Sequence, residues 1–475
     1  MTGEPKLWPC YVAGDRVETG DHLEVRYPFD DSVVGRVAMA GPEQLEAATE
    51  IMLQQWQPMT RHQRAEILET ARRSLNERAD EFAEVIRIES GLCVRETRYE
   101  VGRAQDVLQF AAMEALKDDG QVFSCDITPH GKARKIFTTR EPLRSVAAIT
   151  PFNHPLNQVA HKLAPAIACG APVLLKPSEK TPLSAIKLAE LLYESGLPGW
   201  MLSVLVGPID TVVEPMVTDP RIELVSFTGS VAIGKHIAET AGYKKLCLEL
   251  GGNSPLIVLA DADLDQAVSL AAEGCYRNSG QRCTAVKRLL VHADIVGEFT
   301  ERLVAKTAEY VVGDPADEET RVGTVIDAAA AAELARRVRD AAAAGARVLT
   351  GGEASGAFMP PTVVTDVPRD VEMVTTESFG PLAPIMAISD LDDAIALANA
   401  TPYALSCGVV TNNLDHALAT IKGVRTGTVN VNEVPGYRIE CSPFGGVKDS
   451  GLGIKEGVIE AMKYMTNVKT FSLPW

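Results

Sequence analysis

No uninterrupted apolar stretch in the chain reaches the roughly eighteen residues that a membrane-spanning helix needs. The opening residues, Met1-Thr2-Gly3-Glu4-Pro5-Lys6, also lack the basic start and apolar core of a secretory leader, so the expectation is a cytoplasmic protein. Paired cysteines are missing as well. The nine cysteines lie scattered at 10, 93, 125, 169, 247, 275, 283, 407 and 441, with no CxxC pair and no metal-ligand spacing to histidine. A disulfide framework and a zinc site are therefore not expected. Aromatic residues are few, at 5%, and positive charge is in deficit: 46 Lys and Arg against 63 Asp and Glu leave a net charge of -17. That field repels phosphate backbones and anionic lipids, which argues against nucleic-acid and membrane partners. An anionic substrate would need its own local cluster of cations.

What is present is the composition of an ordinary globular protein, 46% hydrophobic and 23% charged, in 475 residues that are too many for one core. Apolar residues repeat at helical spacing over 65–76 and 79–89, with Gly91 as a stop. From 145 onward short apolar runs alternate with helical patterns, the signature of βαβ units and a parallel sheet. Strands are expected at 145–150, 172–176, 201–206 and 224–227. Helices are expected at 155–169, at 182–195 with Thr181 as N-cap, and at 231–240. A second α/β region follows Gly251-Gly252, with helices near 264–278, 296–310, 328–344 and 391–398. The segments 122–140 and 466–475 look extended and half-polar; neither buries a core alone, so they should pair with each other or across subunits.

Three segments carry chemistry. Cys283 sits in Asn278-Ser279-Gly280-Gln281-Arg282-Cys283-Thr284-Ala285, a small-residue turn after a helix where a side chain can face a cleft, and Arg282 can favour the thiolate. Glu249 ends a strand in Leu248-Glu249-Leu250-Gly251-Gly252-Asn253. Asn153 leaves a strand in Thr150-Pro151-Phe152-Asn153-His154-Pro155, where its amide can donate to a developing oxyanion. A GxGxxG between strand and helix is absent; Gly451-Leu452-Gly453 is mis-spaced and misplaced.

In this order, these segments are similar to those of the aldehyde dehydrogenase superfamily. Further matches are Lys176-Pro177-Ser178-Glu179, Phe227-Thr228-Gly229-Ser230 with Gly234, Glu377-Ser378-Phe379-Gly380-Pro381 and Pro443-Phe444-Gly445-Gly446, so the resemblance covers nearly the whole chain. It implies Cys283 as nucleophile, Asn153 with the Cys283 backbone N–H as oxyanion hole, and Glu249 as the base that activates water. Attack gives a thiohemiacetal, hydride leaves to the nicotinamide of NAD, and water hydrolyses the thioester. The family manages without a GxGxxG. By resemblance Lys176 and Glu179 hold the adenosine ribose, Ser230 at a helix start meets the pyrophosphate, and Glu377 holds the nicotinamide ribose. Thr150, Pro151, Phe152, Ser178, Phe227, Thr228, Gly229, Leu250 and Phe379 complete the expected cofactor contacts. A carboxylate at 179 would clash with a 2'-phosphate, favouring NAD over NADP.

The implied architecture is a Rossmann-like NAD-binding domain (1–123 and 146–251), a second α/β catalytic domain (252–449) and a small β oligomerisation element (124–145 and 450–475) of a homodimer or homotetramer. For the substrate, Arg103, His154, Arg282 and Arg438 stand out, with Thr284 beside the nucleophile and Lys287 and Arg288 just beyond. Such cations and donors suit a phosphonate or phosphate head group. Within the superfamily this combination resembles the phosphonoacetaldehyde dehydrogenase branch, and the expected reaction is phosphonoacetaldehyde to phosphonoacetate. Phosphonoformaldehyde, sulfoacetaldehyde, lactaldehyde and semialdehydes are the alternatives.

Overall fold

A computed structural model describes residues 5–475. The clearest local signals become helices with defined ends. Thr60 Oγ1 accepts the amide of Gln63 at 3.2 Å while Gln63 Oε1 accepts that of Thr60 at 2.9 Å, and this reciprocal cap starts helix Arg61–Glu77. Such a cap is worth about 1 kcal/mol. Helices Ala79–Ser90 and Asn157–Cys169 end where Gly91 and Gly170 take left-handed φ values of 74° and 89°.

Helix Leu183–Glu194 departs from the sequence expectation. Its first amides donate to Glu89, from Leu183 at 2.6 Å and Ser184 at 3.2 Å, whereas the Thr181 hydroxyl donates to the Phe152 carbonyl at 3.4 Å. This helix start is buried and has no water for its orphan amides, so a carboxylate from another helix takes them.

The first large sheet has the spatial order Lys245–Glu249, Leu224–Thr228, Val146–Ile149, Val173–Lys176, Leu202–Val204, Cys10–Val12, Asp15–Val17. Its first five strands run parallel and the last two are antiparallel. Every residue of Val146–Ile149 and Val173–Lys176 is buried, as a Rossmann-like sheet covered by helices on both faces requires.

The second sheet runs Arg347–Thr350, Thr362–Thr365, Leu382–Ile388, Val286–His292, Ser254–Val258, Ser406–Val410, Thr428–Val431, antiparallel only at its first edge. Leu290 and Met386 belong to the core on one face, and Leu289 and Ile385 to that on the other, the alternation a strand imposes.

The two extended segments find each other. Arg134–Pro142 pairs antiparallel with Thr466–Pro474 along its whole length, and Val122–Ser124 adds the third strand. A further small sheet joins Leu7–Trp8, Val33–Ala38 and His22–Arg26. No helix of the described residues is long and apolar enough to cross a membrane.

Strand ends now gather the motifs. Thr150 follows Val146–Ile149, and Lys176, Thr228 and Glu249 each end a parallel strand, all on the carboxyl edge where open α/β sheets bind ligands. Cys283 and Glu377 lie just before Val286–His292 and Leu382–Ile388 of the other sheet.

Candidate active site

Cys283, Glu249 and Asn153 line one cavity of about 330 Å3 together with Ser230, Glu377 and Phe379. The turn that presents the thiol is unusual in its backbone. After helix Leu264–Tyr276, Asn278 and Ser279 take φ of 57° and 51°, and a Cβ on Gly280 would stand 2.1 Å from the Gly380 carbonyl oxygen. The left-handed residues and the close approach hold this turn in a conformation that a free loop would avoid.

Asn153 is tied to the same turn. Its Nδ2 donates to the Gln281 carbonyl at 2.8 Å, and Asn278 Nδ2 donates to the Asn153 carbonyl at 3.0 Å. A carboxamide has two N–H groups, so one hydrogen fixes the side chain and the other is left for a ligand.

Glu249 is buried and both of its oxygens lack a hydrogen-bond partner. Burial raises its carboxyl well above the ordinary range, Glu456 adds to this and Lys162 partly offsets it. A side chain at 445 would collide with it, since a Cβ there would lie 2.5 Å from Glu249 Oε1. The neighbouring pair escaped the sequence reading: Lys162 Nζ, fully buried, donates to Glu456 Oε1 at 2.9 Å and Ser226 Oγ at 2.8 Å. A lysine in a helix otherwise dominated by small and apolar residues was the available signal, because a buried ammonium requires a counter-charge.

Burial pushes the Cys283 thiol up to about 11; Glu377 raises it further, while Arg438 and Arg282 offset part of the rise. Arg282 thus favours the thiolate, as expected, but desolvation outweighs its charge.

Part of the cofactor set lines the cavity of Cys283, whereas Glu179 borders a different one with Lys180 and Asp327. Phe152 and Phe379 meet edge to face, with centroids 5.9 Å apart, and Pro151, Thr228, Gly229 and Leu250 border the Cys283 cavity with them. Ser230 Oγ accepts the Ile233 amide at 3.4 Å and begins helix Val231–Thr240. Gly234 lets that helix close on Leu250, because a Cβ there would be 2.3 Å from Leu250 Cδ2. Gly229 packs over the Phe227 ring in the same way. Lys176 hydrogen-bonds Glu179, and Ser178 Oγ accepts the Lys180 amide at 3.2 Å. Glu377 Oε1 accepts the Gly252 amide at 3.0 Å, and burial pushes its carboxyl up to about 7. The hydroxyls of Thr150 and Thr228 are buried without partners. Unpartnered hydroxyls, a helix start and a carboxylate on one lining fit the ribose and pyrophosphate groups of a nicotinamide dinucleotide.

The cations proposed for the substrate divide into two sets. Arg282 donates to the carbonyls of Glu273 at 3.1 Å and Gly274 at 3.0 Å, so its guanidinium satisfies the end of helix Leu264–Tyr276 and is not placed as an anion ligand, which corrects the sequence expectation. Lys287 donates to the Gly280 carbonyl, and Arg288 to the carbonyls of Asn253, Leu397 and Ala398. They too are structural. His154 Nδ1 lies 3.5 Å from Glu100 Oε2, and burial lowers its pKa although Glu100 opposes this, so the ring is a neutral hydrogen-bonding group rather than a cation.

Arg103 and Arg438 are brought together by Glu440, a residue the sequence analysis did not single out. Arg103 Nε donates to Glu440 Oε1, His161 Nε2 pairs with Oε2, and Arg438 Nη2 stands 3.8 Å from Oε2. Arg438 stacks 3.9 Å from the Phe444 ring centroid, and its guanidinium makes no hydrogen bond among the described residues. Its loop also covers the nucleophile turn, since a Cβ on Gly436 would fall 2.4 Å from Thr284 Oγ1.

With this geometry in hand, the comparisons with known proteins agree. The model of the aldehyde dehydrogenase family matches residues 16–471. The chain is 37% identical over 472 residues to 3-sulfolactaldehyde dehydrogenase of Priestia aryabhattai, covering 98% of each. It is 36% identical over 447 residues to sulfoacetaldehyde dehydrogenase of Neptuniibacter caesariensis, covering 93% of this chain and 97% of that one. Aldehyde dehydrogenase 21 from Physcomitrella patens, solved in complex with its reaction product succinate, superposes with a TM-score of 0.95 at 34% identity over 99% of each chain. From the thiol, amide and carboxylate that meet in one cavity and from these matches, the chain belongs to the aldehyde dehydrogenase family.

Proposed function

We propose that the chain oxidises a short anionic aldehyde, of the kind that 3-sulfolactaldehyde and sulfoacetaldehyde represent, to its carboxylic acid with NAD. The observation that carries the anionic substrate is Arg438, whose guanidinium lies over Phe444 beside the nucleophile turn and makes no hydrogen bond among the described residues, with Glu440 standing 3.8 Å away. Phosphonoacetaldehyde, the first expectation from sequence, belongs to the same chemical class. The sulfonate alternatives gain support from relatives of over 35% identity that act on such aldehydes.

In this reading Cys283 Sγ attacks the carbonyl carbon, and the oxyanion takes the second N–H of Asn153 and the Cys283 amide. Burial raises the thiol pKa, and its proton passes to bulk water as the sulfur attacks. NAD, when bound, supplies the acceptor for the hydride that converts thiohemiacetal to thioester. Glu249, ionised, then takes a proton from water; the hydroxide adds to the thioester carbon, the C–S bond breaks, and the thiolate is released with the carboxylic acid. Lys176, Glu179, Ser230 and Glu377 would hold the dinucleotide, and the carboxylate at 179 disfavours a 2'-phosphate.

The domain division proposed above places oligomerisation on the third sheet. Its strand Thr466–Pro474 exposes Phe471 and Leu473 on one face, and Trp475 follows them, an apolar row that a second copy would cover. Sedimentation at working concentration tests this. The enzymatic reading is tested by NADH formation with sulfoacetaldehyde, phosphonoacetaldehyde, lactaldehyde and propanal. A clear preference in kcat/KM for the anionic aldehydes is expected, and equal rates with propanal would refute the anionic assignment.

A further inference from the structure

We propose that Glu440 sets the charge a substrate head group must carry, selecting singly charged over doubly charged anions. This rests on the anionic-aldehyde reading above and narrows it to a substrate class.

Glu440 is a buried carboxylate that faces three basic side chains: Arg103 on helix Val94–Ala115, His161 on helix Asn157–Cys169, and Arg438 on its own loop. Although burial opposes it, these three neighbours hold its carboxyl far below the usual range, so it is ionised at any working pH. His161 is fully buried; burial lowers its pKa despite Glu440, and the neutral ring donates Nε2–H to the carboxylate while Nδ1 has no partner. The guanidiniums of Arg103 and Arg438 keep their protons.

The local charges can then be counted. Two guanidiniums face one carboxylate, which leaves one surplus positive charge. Arg282, the next cation, is turned away from this cluster to the Glu273 and Gly274 carbonyls. Lys162 and Glu456 are paired with each other, and Glu249 lines the catalytic cavity with Cys283, a cavity that Arg103, Arg438 and Glu440 do not border. Glu100 accepts the first amides of helix Asn157–Cys169, whose positive end offsets it. Asp106, one turn along from Arg103, is exposed and screened by water.

A sulfonate brings one negative charge and neutralises such a site. A phosphonate in its doubly ionised form would leave one uncompensated negative charge beside Glu440, and buried uncompensated charge is costly. The carboxylate that braces the two arginines thus also competes with the second charge of a ligand. A bracing role alone would not depend on the charge of the substrate, and that difference can be measured.

The experiment compares kcat/KM for sulfoacetaldehyde and phosphonoacetaldehyde, at pH 8 and saturating NAD, in the natural enzyme and in Glu440→Gln. Taking the ratio of the two substrates on one protein cancels any general loss of fold or rate. Removing the carboxylate should move that ratio toward the phosphonate by about tenfold or more, the effect of one charge-assisted contact. A ratio that stays put, in an enzyme that still prefers anionic to neutral aldehydes, overturns the role of Glu440 and leaves the anionic reading intact. A natural enzyme that prefers propanal sinks both.

Should Glu440→Gln not fold, the natural enzyme still answers. Methylphosphonate loses its second proton near neutrality, whereas methanesulfonate stays singly charged. As competitive inhibitors followed from about pH 6 to about pH 8.5, the phosphonate should weaken as its dianion forms, relative to the sulfonate. Parallel pH dependence, or a phosphonate that strengthens with pH, contradicts the proposal.

Discussion

The side-chain amide of Asn153 donates one hydrogen to the carbonyl of Gln281 at 2.8 Å, two residues ahead of Cys283. The proposed oxyanion donor is therefore tied to the turn that carries the proposed nucleophile. Asn153→Ala removes the donor and the tether together. Losing an oxyanion donor costs about 3 kcal/mol of transition-state stabilisation, so kcat should fall at least about a hundredfold. Single-turnover NADH formation checks this, and a rate within severalfold of the natural enzyme would remove Asn153 from the chemistry.

Glu249 gives a pH prediction. Its carboxyl is raised well above the usual carboxylate range, chiefly by burial, so the base form is lost as pH falls through a range where ordinary carboxylates remain ionised. Steady-state kcat should decline on the acid side with a midpoint clearly above 4.5. Glu249→Gln should give a burst of NADH followed by little turnover, because the thioester forms and is not hydrolysed. An unaltered acid limb in that variant would assign the titration elsewhere.

Arg438 and Arg282 should separate cleanly. Arg438→Ala removes a charge-assisted contact of about 1.5 to 3 kcal/mol, so KM for an anionic aldehyde rises roughly tenfold or more while that for propanal moves far less. Arg282→Ala instead strips the donor from the Glu273 and Gly274 carbonyls, and its main effect should be a lower Tm with the anionic preference retained. Kinetics with both aldehydes and thermal unfolding of both variants test the pair.

These two arginines also show what was legible in the sequence. The order of the motifs was enough to name candidates for nucleophile, amide and base, and the fold brings all three to one cavity, because each sits at a strand end or tight turn whose residue types are demanding. The α/β class followed from alternation of apolar runs, and the pairing of 134–142 with 466–474 from their inability to bury a core alone. Where a long side chain points could not be read. Arg282 is adjacent to Cys283 in sequence, yet it serves a helix end, while Glu440 lies two residues beyond Arg438 and binds partners from two distant helices. The cap of Leu183–Glu194 by Glu89 failed for the same reason: a buried partner distant in sequence displaced the local choice, Thr181.

In its proposed place at the nicotinamide ribose, Glu377 would link cofactor binding to pH. Burial pushes its carboxyl up to about 7, against the opposing charge of Lys287, and only the ionised form accepts two ribose hydroxyls. The Kd for NAD should therefore rise as pH falls below about 7. Glu377→Gln should weaken binding and flatten that dependence; fluorescence titration with NAD at several pH values checks both, and an equally steep dependence in the variant would exclude Glu377 as its source.

The most direct measurement is peptide mass spectrometry of Glu249→Gln enzyme quenched after mixing with NAD and sulfoacetaldehyde. The acyl group is predicted on the peptide that carries Cys283, as a hydroxylamine-labile thioester. NADH formed with no adduct at Cys283, or with the adduct on another of the nine cysteines, would contradict the account.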